Sequence, residues 1–328
     1  MAAAGRRWLG PALRVQSRVA TGLMAGFCLA ALAGVRFGLA AQVGVLLAGI
    51  VVVGFPHGAF DHLVAQRRLE RLGRWWWALF GVGYLGLAGL VWLAWMAAPG
   101  LTLAGFLAAS VLHFGLGDVE DGLAPAGVPR AVAILAYGGL PLLLPMVLHP
   151  AAAAPVLAAL AEMPASAMQG MLSGTVWLLP PWLAAFAWTL IEAWRERRGV
   201  AERLATAAGF ALLPPLLAFG LYFGAGHSVR HVLRLGAWRD ARDPAAAARW
   251  LARVMAPAGL ACAAGLGALA LLDQDVTAGV LAPLFRVIAA LTLPHMVVTA
   301  WLDRADVDYA VGAGREVGAA GPYPDTRG

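Results

Sequence analysis

Charge is scarce in this chain. Of its 328 residues only 13% are Asp, Glu, Lys or Arg, while 61% are hydrophobic. A soluble domain carries about 25% charge and roughly 45–50% apolar residues. A mean hydropathy of +0.75 departs in the same direction. The shortage excludes an ordinary soluble fold and points to a polytopic membrane protein. On length alone the chain would serve about two soluble domains, yet no internal repeat and no soluble domain is visible, so one integral bundle is expected. Cysteine is almost missing as well. Cys28 and Cys262 lie far apart in apolar runs, which excludes a disulfide framework and a thiolate metal site. They read as small buried hydrophobes.

What charge there is comes in clusters. The net +6 is carried by arginine, at Arg6, Arg7, Arg14 and Arg18, at Arg67, Arg68, Arg71 and Arg74, at Arg195, Arg197, Arg198 and Arg203, and at Arg230, Arg234, Arg239 and Arg242. A nucleic-acid surface needs a soluble basic face with aromatics. Short clusters that punctuate apolar spans mark cytoplasmic loops instead, so no nucleic-acid partner is expected.

A spanning helix needs about 20 mostly apolar residues. Candidate spans cover 20–36, 38–56, 75–98, 101–117, 131–148, 168–192, 204–226, 250–272 and 277–301. Prolines interrupt several of them, at Pro141 and Pro145, Pro180 and Pro181, and Pro214 and Pro215. The fold class is therefore all-α, a transmembrane bundle of eight to ten helices with some kinked or broken. Its parts are a basic N-terminal segment 1–19, a catalytic bundle 20–303 and a polar tail 304–328. The first apolar run, "VATGLMAGFCLAALAGV" followed by "GLAAQ", fits a cleavable signal peptide or an uncleaved first helix. With further spans behind it, the uncleaved helix is the reading taken. Counting spans from a cytoplasmic N-terminus puts the arginines of 62–74 and 193–203 inside, but those of 230–249 outside. The double proline at 214–215 is the suspected source of the miscount. A helix restarting at Leu216 and running to about Leu235 would return those arginines to the cytoplasm.

Six of the seven histidines sit in short polar islands within or beside apolar spans: His57, His62, His113, His227, His231 and His295. His149, in "MVLHPAA", reads as an interfacial loop residue. An ionisable group at membrane depth calls for a partner and a function. In "GAGHSVRHVLRL", His227 and His231 are one helical turn apart on one face and can converge on a metal ion. "ASVLHFGLGD" offers His113 with Asp118 five residues on. "GFPHGAFDH" offers His57 with Asp61 at i+4, on the same helical face, and His62 at i+5, turned elsewhere. A carboxylate beside a ligating imidazole fixes its tautomer, which is the role Asp61 suggests. "LTLPHMVVTAWLD" adds His295. Each histidine taken singly can equally be a core residue bonded to a carbonyl. Taken together, with no HExxH and no cysteine motif to compete, they form a candidate ligand set. Imidazole suits iron, zinc, copper and nickel. An all-nitrogen site in apolar surroundings suits Fe(II) with a position left for dioxygen. A zinc hydrolase using Asp61 or Asp118 as base, a haem protein with two axial histidines, and a transporter with histidines on a proton path are the other readings.

"GFPHGAFDH", "LHFGLGD", "GHSVRHVLRL" and "LPHMVV", in this order and spacing, resemble the Brp/Blh family of bacterial and archaeal β-carotene 15,15′-dioxygenases over about residues 50–303. The resemblance implies a multi-pass enzyme of the cell membrane. Such an enzyme splits β-carotene at its central double bond with dioxygen and non-haem Fe(2+), releasing two all-trans-retinal molecules. It implies four iron ligands, His57, His113, His227 and His231. His62 and His295 also sit in its motifs and take pocket or supporting roles, Asp61 and Asp118 are assigned supporting roles from their places beside the histidines, and the resemblance implies a retinal-consuming rhodopsin as a functional link. The substrate is apolar and dissolves in the lipid bilayer, so an aromatic and aliphatic tunnel is expected, with Phe55, Phe60, Phe114, Tyr222 and Phe223 as candidate walls. Cleavage of another carotenoid or apocarotenoid, or a non-catalytic haem or retinal-handling role, are the alternatives.

Overall fold

Inside a bilayer no water is available to the peptide groups, so an apolar chain must satisfy them within each segment, and a helix does so. The computed structural model describes residues 8–312 other than 121, 122, 198, 241, 273 and 274. Arg6, Arg7, Arg198 and residues 313–328, on which parts of the N-terminal, loop and tail expectations rest, lie outside the described residues. The described residues are helical throughout, with short connections. The helices are α1 (Leu9–Leu32), α2 (Leu39–Gln66), α3 (Glu70–Ala97), α4 (Pro99–Glu120), α5 (Arg130–Leu148), α6 (Pro150–Ala161), α7 (Ala165–Arg195) and α8 (Val200–Leu212). After them come α9, built from Pro215–Leu221, Tyr222–His227 and Ser228–Arg239, then α10 (Pro244–Leu272), and α11, built from Val276–Leu281 and Ala282–Gly312. Eight of the described helices are long and apolar enough to cross a membrane, as a multi-pass membrane protein requires.

The expected span 204–226 is corrected. The chain stops at Leu212, turns through Leu213 and Pro214, and restarts at Pro215, one residue before the restart expected. Proline has no N–H to give and favours the first helical position, so the pair ends one helix and opens the next. Side-chain bonds show that α8 and α9 run in opposite directions. Glu202, early in α8, accepts from Arg230 Nη1 late in α9 (2.6 Å). At the other end of α8, the Ala211 carbonyl accepts from His149 Nε2 (3.0 Å).

The same bonds define two ends of the bundle. At one end Trp8 Nε1 donates to the Asp240 carbonyl (3.1 Å), Ser17 Oγ to Glu202 (2.6 Å), Arg130 to Glu120 (2.8 Å) and the Ala126 N–H to Glu196 (2.7 Å). At the opposite end Trp95 Nε1 donates to the Leu160 carbonyl (2.8 Å) and Arg286 to Glu162 (2.9 Å). The turns near Arg14 and Arg18, Arg195 to Arg203 and Arg230 to Arg239 thus gather on one side, the arrangement expected of a cytoplasmic face. The helix containing His295 continues through Asp303 to Gly312.

One crossing positions the centre. A Cβ built on Gly220 would lie 2.8 Å from the Leu46 Cα, and one on Gly224 would lie 2.8 Å from the Gly49 Cα. Only small residues let α9 meet α2 backbone to backbone, the usual device for close helix contact in membranes. That contact holds the stretch following Gly49 against the stretch following Gly224, and both lead into histidines.

Candidate active site

Five histidines from four helices converge. His57 comes from α2, His113 from α4, His227 and His231 from α9, and His295 from α11. Ring centroids stand 4.8 Å apart for His57 and His295, 5.1 Å for His113 and His227, 5.4 Å for His113 and His295, and 5.6 Å for His57 and His231. His231 lies 5.8 Å from His295, and His57 lies 6.4 Å from His227. His57, His227 and His295 are buried, while His113 and His231 are half-buried. Nε2 of His113 and Nε2 of His227 approach to 3.3 Å. Ring nitrogens of His57, His113 and His295 all fall within 4.8 Å of one another.

Local backbone explains these positions. Residues Ile50–Gly54 and Tyr222–His227 are π-helical, as is Val276–Leu281, a form found mostly as short bulges within α-helices and frequently at functional sites. Pro56 then opens a 3₁₀ stretch, Pro56–Phe60, with His57 inside it. A 3₁₀ helix turns every three residues rather than 3.6, so His57 and Asp61 are not stacked on one face as the i+4 spacing suggests. His57 Nδ1 donates to the Gly54 carbonyl on its own helix. Asp61 turns the other way and accepts from His295 Nδ1 at 2.9 and 3.0 Å and from Tyr84 Oη at 2.8 Å. The expected orienting carboxylate is present, and the imidazole it orients is His295.

Asp118 serves the other side of the cluster. Its Oδ1 accepts from Arg230 Nη2 (2.7 Å) and its Oδ2 from Tyr222 Oη (3.0 Å), while His227 Nδ1 stands 4.0 Å from Oδ1. Gly117 makes room for that imidazole, since a Cβ there would sit 2.8 Å from His227 Cε1.

The chemistry of this donor set fits a metal cation. His57 commits Nδ1 to a carbonyl, which leaves Nε2 as a bare lone pair. That Nε2 is buried and has no hydrogen-bond partner, as is also true of His227 Nδ1. A buried polar atom left unsatisfied is costly, and a cation would satisfy His57 Nε2. Neutral imidazoles with their second nitrogen anchored are the usual form of metal-binding histidine.

Beside the cluster lies a cavity of about 550 Å³, bounded by His57, His113, His295, Asp61 and Tyr84 on its polar side. Phe55, Phe106, Phe114, Phe219 and Phe223 form much of the rest, with Pro141 and Pro145 of α5. The lining reaches exposed positions at His62 and Leu85 and again at Ala152. Of the aromatic walls expected, Phe55, Phe114 and Phe223 line this cavity. Phe60 does not, because it is buried against Trp250 with centroids 5.0 Å apart. Tyr222 does not either, because its ring lies toward Phe210 and its hydroxyl toward Asp118. It bounds a second, small cavity of about 30 Å³ shared with Asp118, Glu202 and Arg230. His62 is exposed and donates through Nδ1 to the Ala59 carbonyl (2.8 Å), so it turns away from the cluster to the cavity mouth.

Three residues of this region escaped the sequence reading. Arg230 carried a signal, standing between the two histidines of "GHSVRHVLRL" in an apolar setting. Tyr84 and Phe219 lie in unbroken apolar runs with nothing to separate them from their neighbours.

Comparison with known proteins agrees with this picture. A family model described as β-carotene 15,15′-dioxygenase matches residues 48–303, most of the chain. A probable β-carotene 15,15′-dioxygenase of Halobacterium salinarum, Blh, is 34% identical over 306 residues, covering 84% of this chain and 88% of its own. A second probable β-carotene 15,15′-dioxygenase of that organism, Brp, is 27% identical over 86% of this chain and 89% of its own. The β-carotene 15,15′-dioxygenase of an uncultured marine bacterium, 66A03, is 25% identical over 79% and 93%. No solved structure matches the chain. The segment matched by the family model holds all five clustered histidines and both carboxylates, and the chain belongs to the β-carotene 15,15′-dioxygenase family of carotenoid-cleaving membrane proteins.

Proposed function

We propose that the protein cleaves β-carotene at its central 15,15′ double bond with dioxygen, giving two all-trans-retinal molecules, and that His57, His113, His227 and His231 hold the Fe(II) this requires. The observation that carries the reading is the apolar cavity of about 550 Å³ whose polar wall holds His57, His113 and His295 of the histidine cluster, with His227 and His231 behind that wall. In the balanced reaction one carbon–carbon double bond and the dioxygen bond break and two aldehyde C=O bonds form, so no external reductant is needed. Fe(II), when bound, supplies the one-electron chemistry that lets dioxygen react with a closed-shell alkene.

The chain's own residues bind, orient and dry. The rings of Phe55, Phe114, Phe219 and Phe223 give a polyene flat contact surfaces. They confine its middle beside the imidazoles, where orientation contributes most to rate. The exposed positions at the cavity margin suit a substrate longer than the cavity, whose ends remain in lipid. His57 keeps its Nδ1 proton on the Gly54 carbonyl, so Nε2 stays available. The proposed location is the cell membrane.

Expression in carotenoid-producing cells tests this directly: orange colour should fade as retinal accumulates. Labelled dioxygen should place label in both product aldehydes, and label in only half of them, with the rest from water, would rule out a dioxygenase. Products of unequal length would assign a different bond or carotenoid, and a Soret band in the purified protein would assign haem. Each of His57→Ala, His113→Ala, His227→Ala and His231→Ala should abolish cleavage and lower bound iron.

A further inference from the structure

We propose that His295 is a fifth imidazole of the metal centre, with Asp61 and Tyr84 as its positioning residues. The inference rests on the iron reading above and adds to its ligand set. His295 lies nearest His57 of all the imidazoles, at 4.8 Å between centroids. With His57 and His113 it forms the group whose ring nitrogens lie within 4.8 Å of one another. Its Nδ1 proton is committed to Asp61, so the nitrogen free to meet a cation is Nε2. That is the tautomer and anchorage a ligating histidine needs.

A purely structural histidine–aspartate pair accounts for the buried bond but not for the position. Asp61 and His295 are both buried, and both line the cavity beside the other histidines. A carboxylate in apolar surroundings costs free energy unless a positive charge accompanies it. A metal cation on the far side of the His295 ring would supply that charge through the imidazole. Tyr84 Oη donates to Oδ2 of the same carboxylate at 2.8 Å, so the chain Tyr84–Asp61–His295 runs from α3 through α2 to α11 and aims one ring at the cluster. Pro294, immediately before His295, lies within α11. It removes one helical hydrogen bond and loosens the backbone just where the ring must be placed.

The test measures iron per chain and X-ray absorption at the iron edge in detergent-purified wild type, His295→Ala, Asp61→Asn and Tyr84→Phe, with His149→Gln as a control at the far end of the bundle. Monodispersity and helicity check folding. Wild type and the control should hold iron, His295→Ala should lose most of it and show fewer imidazole scatterers, and Asp61→Asn should bind iron about 10–100-fold more weakly. If His295→Ala fails to fold, Asp61→Asn and Tyr84→Phe carry the measurement, and iron affinity unchanged in both overturns the proposal. A folded His295→Ala with wild-type iron and an unchanged shell also overturns it, while leaving the four-histidine reading intact. Wild type without iron overturns both.

Discussion

Two buried aspartates flank the histidine cluster, and they are built differently. Asp118 is clamped by a full positive charge, Arg230 at 2.7 Å, which also grips Glu202 at 2.6 Å, and Glu202 in turn holds Ser17 of α1. Asp61 is held by the Tyr84 hydroxyl and a ring N–H of His295. The first is an ion network tying α1, α4, α8 and α9 together at the arginine-rich end. The second is a carboxylate aimed at one imidazole. Removing one partner of a buried ion pair leaves an uncompensated charge, whereas a carboxylate–histidine pair tunes what the histidine binds. On the proposed metal reading, Asp118 would serve the assembly of the cluster and Asp61 the orientation of His295.

The largest expected effect breaks the first region. Arg230→Met strands Asp118 and Glu202 and should destabilise the protein by about 3–5 kcal/mol, seen as a lowered unfolding midpoint in detergent. The double variant Arg230→Met with Asp118→Leu should recover part of that loss, and no recovery would mean the pair is not the origin. Next comes Gly117→Ala. The new methyl meets His227 Cε1 at 2.8 Å, so the ring must move, with a cost of about 1–3 kcal/mol and a fall in kcat of up to about 100-fold. Wild-type turnover in this variant would show that His227 tolerates displacement. The smallest effects sharpen the contrast. Tyr222→Phe and Tyr84→Phe each remove one hydrogen bond worth about 1 kcal/mol. The first should act on stability with iron retained, the second on iron affinity with stability nearly unchanged. Equal profiles from the two would erase the distinction between the aspartates.

Much of this was legible in the chain itself. The helical class, the apolar spans and the four islands that carry the clustered histidines are written in local sequence, because charge inside an apolar run stands out without any knowledge of the fold. Which carboxylate serves which histidine was not legible. Asp61 is four residues from His57 and 234 from its true partner His295. The i+4 rule presumes an α-helix, and Pro56 sets a tighter turn. Asp118, five residues after His113, lies within 4.0 Å of His227 on another helix for the same kind of reason, namely that a partner across the bundle leaves no trace in spacing. Phe60 and Tyr222 were indistinguishable from the true cavity walls, since an aromatic in an apolar run carries no mark of the direction it faces. The reversal at Pro214 could be suspected from the misplaced arginines, and the bond between Glu202 and Arg230 supplied the direction.

The crossing of α2 over α9 has a consequence for anyone who would re-engineer the substrate range. Where Gly220 and Gly224 meet Leu46 and Gly49, main chain touches main chain, and no rotamer stands between them to be reshuffled. The separation of the stretches bearing His57 and His227 is thus fixed by van der Waals contact between main chains rather than by a choice of side chains. Cavity walls such as Phe106 or Met146 can be resized for a longer or bulkier polyene while that separation stays as it is. Receptor and reaction centre are in this sense separable parts, which makes the scaffold a tractable starting point for cleaving polyenes it does not meet in nature.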